Sequence, residues 1–266
     1  MKINKSIIFC FVIAEFVSCN NIKSNQVPVE KPSLILSSFM NFWYYWNDNV
    51  KLSENYIALD ANHKQLQKGT FLKDLTTGDF LPLRMESADA DYVYLLYKIP
   101  DTANSNISHT ITQMAGYHYH YFQLEGKPLP DFNFVDLNGN RYDRQTCKNK
   151  IIVINSWFID CHACREEMPA LNQLVDSFKN RKDILFVSLA YDSPDQLRSF
   201  LTKTKFNYVI VPNMETYLID TLGIQISPAH FIINRKGIVV NITNDYHQME
   251  DVLKREIGHL AYNYKK

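Results

Sequence analysis

The stretch that most constrains this chain runs from Asn155 to Pro169, NSWFIDCHACREEMP. It is preceded by Ile151-Ile152-Val153-Ile154, an apolar run of the kind that forms a buried strand. It is followed by apolar positions at Cys164, Met168, Leu171, Leu174/Val175 and Phe178, spaced three or four apart, which predict a helix. Cys161 and Cys164 therefore sit where a strand turns into a helix. At a helix N-terminus, unpaired N–H groups and the positive end of the dipole favour an anion, here a thiolate. The thiolate is the reactive form of cysteine, and such sites lower a thiol's pKa. Two cysteines at this spacing can close a small disulfide ring across the first helical turn. The outer Cys161 would be the attacking sulfur, and Cys164, one turn inside, the resolving one. The other readings of this pattern are a structural disulfide or half of a zinc site. A structural zinc site usually shows a second ligand pair. His118-Tyr119-His120 is the one candidate, and its spacing suits aromatic packing better. Redox chemistry is the favoured reading.

At 266 residues the chain is long enough for one large or two small domains. Lys+Arg and Asp+Glu both total 28, with no basic stripe that would suit nucleic acid and no charge block that would suit a disordered tail. The five cysteines form no disulfide framework. Cys10 and Cys19 fall near the N-terminus, Cys147 stands alone as a bystander thiol, and only Cys161 and Cys164 are a pair.

Residues 1–19 read as an export signal: Lys2 and Lys5 precede an apolar run from Ile7 to Ala14 that is too short to span a bilayer. Phe16-Val17-Ser18-Cys19 resembles a lipobox, which makes Cys19 the candidate lipidation site. Phe16 replaces the usual leucine and Glu15 interrupts the apolar run, so plain cleavage or an uncleaved anchor are the alternatives. Residues 20–32 are expected to be a polar tether. Each reading places the protein outside the cytoplasm, in the periplasm or its equivalent, with a membrane-anchored lipoprotein as the leading form.

Residues 33–126 are expected to form a smaller β-rich or α+β domain of unreadable role. Phe39–Trp46 (FMNFWYYW) fits a strand or a buried helix, its aromatics core rather than a partner surface. Asn55–Asp60, Gly69–Leu75, Asp79–Met85 and Tyr92–Ile99 suggest strands, with Thr77-Gly78-Asp79 as a hairpin turn. Helical spacing from Ser108 to Gln123 predicts a linking helix capped by Ser108 and stopped by Gly126 and Pro128.

Residues 127–266 alternate strands and helices. Asn138-Gly139 marks a hairpin. Strands are expected at Ile151–Asn155, Ile184–Ala190, Tyr208–Val211, Phe231–Asn234 and Ile238–Ile242. Helices are expected from Cys161 to Lys179, from Ser193 with its capping-box Gln196 to about Thr204, over Met214–Leu222, and from Gln248 to Tyr262. This pattern argues for an α/β domain whose mixed central sheet is flanked by helices.

Residues from about 128 to 260 resemble the thioredoxin-like thiol–disulfide oxidoreductases of the TlpA/ResA type. The matching pieces are Gly126-Lys-Pro-Leu-Pro130-Asp-Phe, Asp136-Leu-Asn-Gly139, Asn155-x-Trp157, Cys161-x-x-Cys164, Glu167-Met-Pro169 and Ser227-Pro228-Ala-His-Phe-Ile-Ile233. The resemblance implies a thioredoxin-like fold and a cis proline at Pro228. The Ser227-Pro228 backbone would line the groove where an extended substrate segment pairs. It implies that Glu167 handles the proton of Cys164, since Asn155 takes the place of a buried aspartate. Trp157 and Ser227, with Asp160 and His162, are the candidates for tuning the site. Asp160 replaces an aromatic residue before the first cysteine and disfavours its thiolate; His162 and Arg165 are positioned to offset it. Glu166 reads as merely solvated, and His230 as a strand residue at the site's edge. The implied partners are proteins with thiols or disulfides and a membrane thiol donor. No cofactor is expected beyond the Cys161–Cys164 disulfide, and no metal. The competing readings are copper or haem delivery, for which the cysteine spacing is one residue short, and a peroxiredoxin-like peroxidase, for which Phe158 stands where a threonine is needed.

Overall fold

The computed structural model describes residues 27–88 and 92–263. The export-signal and lipidation readings, Cys19 included, lie outside the described residues, as does the tether up to residue 26. No helix among the described residues is long and apolar enough to cross a membrane.

The first half contains α1 (Pro32–Ile35), α2 (Phe39–Asn49), β1 (Tyr56–Leu59), β2 (Gln65–Leu66), α3 (Lys68–Leu75), β3 (Phe80–Met85), β4 (Tyr92–Lys98) and α4 (Ser105–Leu124). The strands form one sheet in the order β2-β1-β4-β3, with β1 and β4 parallel and the other pairs antiparallel. Ahead of α1, Val27–Val29 lie along β3, where the Val29 N–H donates to the Arg84 carbonyl at 3.0 Å.

The aromatic run resolves as α2, because Phe42, Tyr45 and Trp46 recur at helical spacing and are all buried. Ser38 caps it by accepting the Asn41 N–H at 3.1 Å. Two buried phenols each donate and accept. Tyr45 donates to the Pro82 carbonyl at 2.9 Å and accepts the Arg84 N–H at 2.7 Å. Tyr94 donates to the Asn49 carbonyl at 2.7 Å and accepts the Lys51 N–H at 2.8 Å. These bonds pin α2 to the sheet, so Phe42, Tyr45 and Trp46 are core, whereas Tyr44 is exposed.

Three expectations for this half fail. Gly69–Leu75 is not a strand but most of α3, which buries Phe71, Leu72 and Leu75. One turn of apolar residues carries too little periodicity to separate the two. Thr77-Gly78-Asp79 therefore ends a helix rather than joining two strands: the Gly78 N–H returns to the Leu75 carbonyl at 3.1 Å, with Gly78 at φ +76°. The cap of α4 is Asn104, which accepts the Asn106 N–H at 2.9 Å, and not Ser108.

The second half contains a small hairpin, β5 (Phe134–Val135) and β6 (Arg141–Tyr142), then β7 (Ile151–Trp157), α5 (His162–Ser177), β8 (Ile184–Ala190), α6 (Pro194–Leu201), β9 (Val209–Val211), β10 (Ala229–Ile233), β11 (Val239–Thr243) and α7 (Tyr246–Asn263). The five-stranded sheet runs β11-β10-β7-β8-β9. β7, β8 and β9 are parallel, while β10 is antiparallel to both its neighbours. β7 is buried at every position, as a central strand covered on both faces must be. Ile151, Val153 and Trp157 face a core shared with α5 and α7; Ile152 and Ile154 face the core on the other side. The expected short helix before Gly223 is a single π turn, Tyr217–Thr221.

The two halves are joined through backbone. The Gly126 N–H donates to the Val239 carbonyl, and the Val239 N–H to the Lys127 carbonyl, both at 2.9 Å. The connecting segment thus runs along the outer edge of β11. The Glu125 carboxylate accepts the Ile242 N–H and the Asn241 amide, both at 3.2 Å.

Candidate active site

Cys161 is the N-cap of α5, and its sulfur accepts the Cys164 N–H at 3.2 Å. This contact is the local form of anion stabilisation at a helix N-terminus. The two sulfurs are bonded to each other, with the Cα atoms 5.3 Å apart. Cys161 retains 7% exposure and Cys164 only 2%, so the outer sulfur is the one an incoming partner meets first.

The proline loop closes over this pair. The Ser227–Pro228 peptide is cis, and the Cys161 sulfur lies 3.8 Å from the Ser227 carbonyl oxygen. Sheet register brings the loop there. Ala229 pairs with Ser156, at the end of β7 that leads into the cysteines. The Ser156 hydroxyl accepts the Ala229 N–H at 2.9 Å and lies 3.4 Å from the Ser227 hydroxyl. The Asn244 amide donates to the Pro228 carbonyl at 2.6 Å.

Trp157 is fully buried, donates its indole N–H to the Ser188 hydroxyl and packs against Phe200 and Phe206. It supports the site from beneath and does not face a substrate. Phe158 stacks on Tyr191 at 5.5 Å. The Asp192 carboxylate accepts the Ile159 N–H at 2.8 Å and so holds the turn before Cys161. Asp160 and His162 are exposed beside that turn. His162 Nδ1 lies 3.3 Å from a Glu166 carboxylate oxygen, and both side chains are largely exposed, as the solvated reading of Glu166 expects. Both groups stay open to water, which keeps their coupling weak.

Behind Cys164 lies a polar cluster that the sequence reading did not assemble. Glu167 Oε2 is 3.0 Å from His230 Nε2, and His230 Nδ1 is 3.5 Å from the Asn155 amide nitrogen. The His230 side chain is fully buried and that of Glu167 is 14% exposed. His230 lies inside the site, beneath the cysteines' helix, and not at its edge.

The sequence comparisons agree with this geometry. Residues 126–242 match the model of the AhpC/TSA family. The chain is 29% identical over 126 residues to the thioredoxin-like protein YneN of Bacillus subtilis, covering 44% of this chain and 70% of that protein. It is 28% identical over 116 residues to the thiol–disulfide oxidoreductase ResA of Bacillus thuringiensis, covering 43% of this chain and 66% of that one. Residues 126–242 are thus similar to the AhpC/TSA family, and this part of the chain is similar to relatives named thioredoxin-like protein and thiol–disulfide oxidoreductase. Among solved structures, the thioredoxin domain of a thiol–disulfide oxidoreductase from Bacteroides vulgatus is 19% identical, with a TM-score of 0.45 over 49% of this chain and 96% of that one.

The thioredoxin-like domain does not stand alone around its cysteines. A groove of about 360 Å³ opens between it and the first half, lined by Trp46, Lys51 and His118 on one side and by Glu167, Asn244 and Tyr246 on the other. His118 Nδ1 is buried without a hydrogen-bond partner. Burial, reinforced by Lys68, pulls its pKa down to about 4. His120, two residues on, instead places Nε2 2.7 Å from the Leu222 carbonyl oxygen, so the two histidines do not converge as ligands. Burial, and secondarily the Glu167 carboxylate, hold the Tyr208 phenol well above its ordinary range. Cys147 is buried, unpaired, and pushed up in pKa by its burial. It precedes the start of β7, whereas the disulfide follows that strand's end.

Proposed function

We propose that this protein is an extracytoplasmic thiol–disulfide oxidoreductase that reduces disulfides of partner proteins through Cys161 and Cys164. The observation that carries the reading is the position of Cys161. It caps α5, takes the Cys164 N–H, and faces the Ser227 carbonyl of the cis-proline loop.

In the reductive direction the Cys161 thiolate attacks a partner disulfide, forming a mixed disulfide and expelling one partner thiolate. Cys164 gives up its proton, bonds to Cys161 and releases the second partner sulfur. The partner gains two electrons and two protons, and the enzyme is left as the disulfide. Glu167, one turn along α5 from Cys164, is the group that accepts the Cys164 proton. Ser227 and Pro228 present backbone to an extended partner segment. Asp160 and His162 set the reactivity of Cys161 through their charges. The disulfide serves as the redox centre, with no bound cofactor required. A membrane thiol donor returns the enzyme to the dithiol state, and lipidation at Cys19 is the proposed tether.

Peroxidase chemistry is less well supported, because Phe158 stacked on Tyr191 occupies the position where a threonine would be needed. Copper delivery is also less well supported: the histidine that would assist, His230, is buried and bonded to Glu167.

The test is the reduction potential of the Cys161–Cys164 pair, equilibrated against glutathione. A value near the roughly −270 mV of thioredoxin supports a reductase, and a value near the roughly −120 mV of strong oxidants reverses the direction. Absence of any reversible Cys161–Cys164 disulfide would overturn the reading.

A further inference from the structure

We infer that His230 is a positioning residue for Glu167, holding that carboxylate where it receives the Cys164 proton, and that Asn155 sets the imidazole tautomer that allows it. The inference rests on the oxidoreductase reading above and assigns roles within the same site.

Glu167 is approached from two sides. Cys164 lies one turn back on the same face of α5, within the reach of neighbouring helical side chains. His230 comes from the sheet beneath, where its backbone is fixed opposite Asn155 on one side and Thr243 on the other. Its ring is therefore held by rigid elements, and the 3.0 Å contact to Glu167 Oε2 is the one bond shown at Nε2.

The tautomer follows from the donors available. The Asn155 amide nitrogen, 3.5 Å from His230 Nδ1, has only hydrogens to offer. Nδ1 must then accept, and the ring proton stays on Nε2, aimed at Glu167. A free glutamate side chain samples many rotamers. A carboxylate held by a donated N–H does not, and a displacement of about 1 Å at a reacting group can cost about 100-fold in rate.

The step served is the release of the partner. The Cys164 S–H bond breaks and its proton passes to the Glu167 carboxylate. The sulfur's electron pair forms the bond to Cys161. The bond between Cys161 and the partner breaks, and its electron pair leaves on the partner sulfur, which is protonated from solvent. Glu167 then loses its proton to water in the groove that it lines with His118 and Asn244.

The experiment is a single turnover of the reduced full chain with a fluorescent disulfide peptide. Acid quench and mass spectrometry follow the mixed disulfide as it forms and decays. Glu167→Gln should slow decay by about 100-fold or more, the low end of what a positioned proton acceptor contributes. His230→Phe, which keeps the volume but has no N–H, should slow decay by about 10-fold or more and leave formation within about two-fold. His230→Gln, whose amide supplies a donor near Nε2, should recover most of the rate. In the Glu167→Gln background, His230→Phe should cost nothing further, since it acts through Glu167. If His230→Phe does not fold, His230→Leu takes its place in the same comparison.

Equal slowing of formation and decay, added slowing in the Glu167→Gln background, or an unchanged decay rate in His230→Phe would each overturn the inference while leaving the oxidoreductase reading intact. An unchanged rate in Glu167→Gln would remove Glu167 as the proton acceptor, and the inference with it. No mixed disulfide in the unaltered protein would overturn the oxidoreductase reading itself.

Discussion

His120 on α4 and Gly223 beside the proline loop are packed so closely that a Cβ at position 223 would collide with the imidazole Nε2. Gly223 also sits at φ +64°, in the left-handed region. Gly223→Ala should therefore destabilise the protein for two separable reasons. The backbone conformation alone costs about 1–2 kcal/mol for a residue with a Cβ. The clash with His120 adds to it and pushes α4 away from the loop that carries Ser227 and Pro228. A urea-unfolding double-mutant cycle with His120→Ala separates the two: the second change should recover the steric part and not the conformational part. Strict additivity would show that the two residues do not press on each other in solution.

His118 should make stability sensitive to mild acid. In the unfolded chain a histidine takes up its proton near pH 6.5. In the fold, burial and Lys68 delay this until about pH 4. Between these values the unfolded state binds more protons, so stability rises with pH. The contribution of His118 is complete above about pH 6.5 and is lost as pH falls toward 4. His118→Phe should flatten the stability curve across that window. A His118 ring resonance titrating near pH 6.5 in the native protein would contradict the prediction.

Asp183 should act at lower pH. It is bonded by Arg181 at 2.7 and 2.8 Å and also by Arg235. The Arg181 bonds first, and then Arg235, hold its carboxyl well below the usual carboxylate range. A depressed carboxylate stabilises the fold above its unfolded pKa, near 3.9, and this is lost as pH falls below that value. Asp183→Asn should lower stability at pH 7 by no more than about 1 kcal/mol, because the cluster is partly exposed. It should also soften the acid limb below about pH 4. Superimposable unfolding curves from pH 2 to 7 would show that the cluster contributes nothing.

Cys164→Ala should convert the protein into a trap. Cys161 retains its place at the start of α5 and still attacks, but no second thiol releases the product. Partners should accumulate as mixed disulfides, visible on non-reducing gels and lost on adding dithiothreitol. Cys161→Ala should give no such species. Equal trapping by the two variants would mean that the order of the two sulfurs is wrong.

Much of the second half was legible because its signals are local. Asn138-Gly139 fixes a hairpin, Ser193 and Gln196 a helix start, and a solid apolar run the central strand β7. The first half was less legible where one turn had to decide: Gly69–Leu75 offers apolar residues that either a strand or a helix can bury. The cysteine pair and the cis proline were readable as motifs. The cluster of Glu167, His230 and Asn155 was not, because it exists only in the register of β10 against β7. The information was nearly there. Val153 and Trp157 face α5, so Asn155 between them does too, and the residue paired with it shares that face. The pairing itself is a contact across 75 positions that no local pattern announces.

The strand-like pairing of Gly126 and Lys127 with Val239 has a practical meaning for anyone wishing to isolate the chemistry. The recognisable likeness begins at residue 126, which invites a cut there. Such a cut removes the Glu125 carboxylate that receives the Ile242 N–H, and it frees the segment that covers the margin of β11. An exposed sheet margin recruits other chains. The boundary of resemblance cuts through hydrogen bonds that the fold uses: a shortened protein that aggregates would be reporting a missing border, not a failed active site.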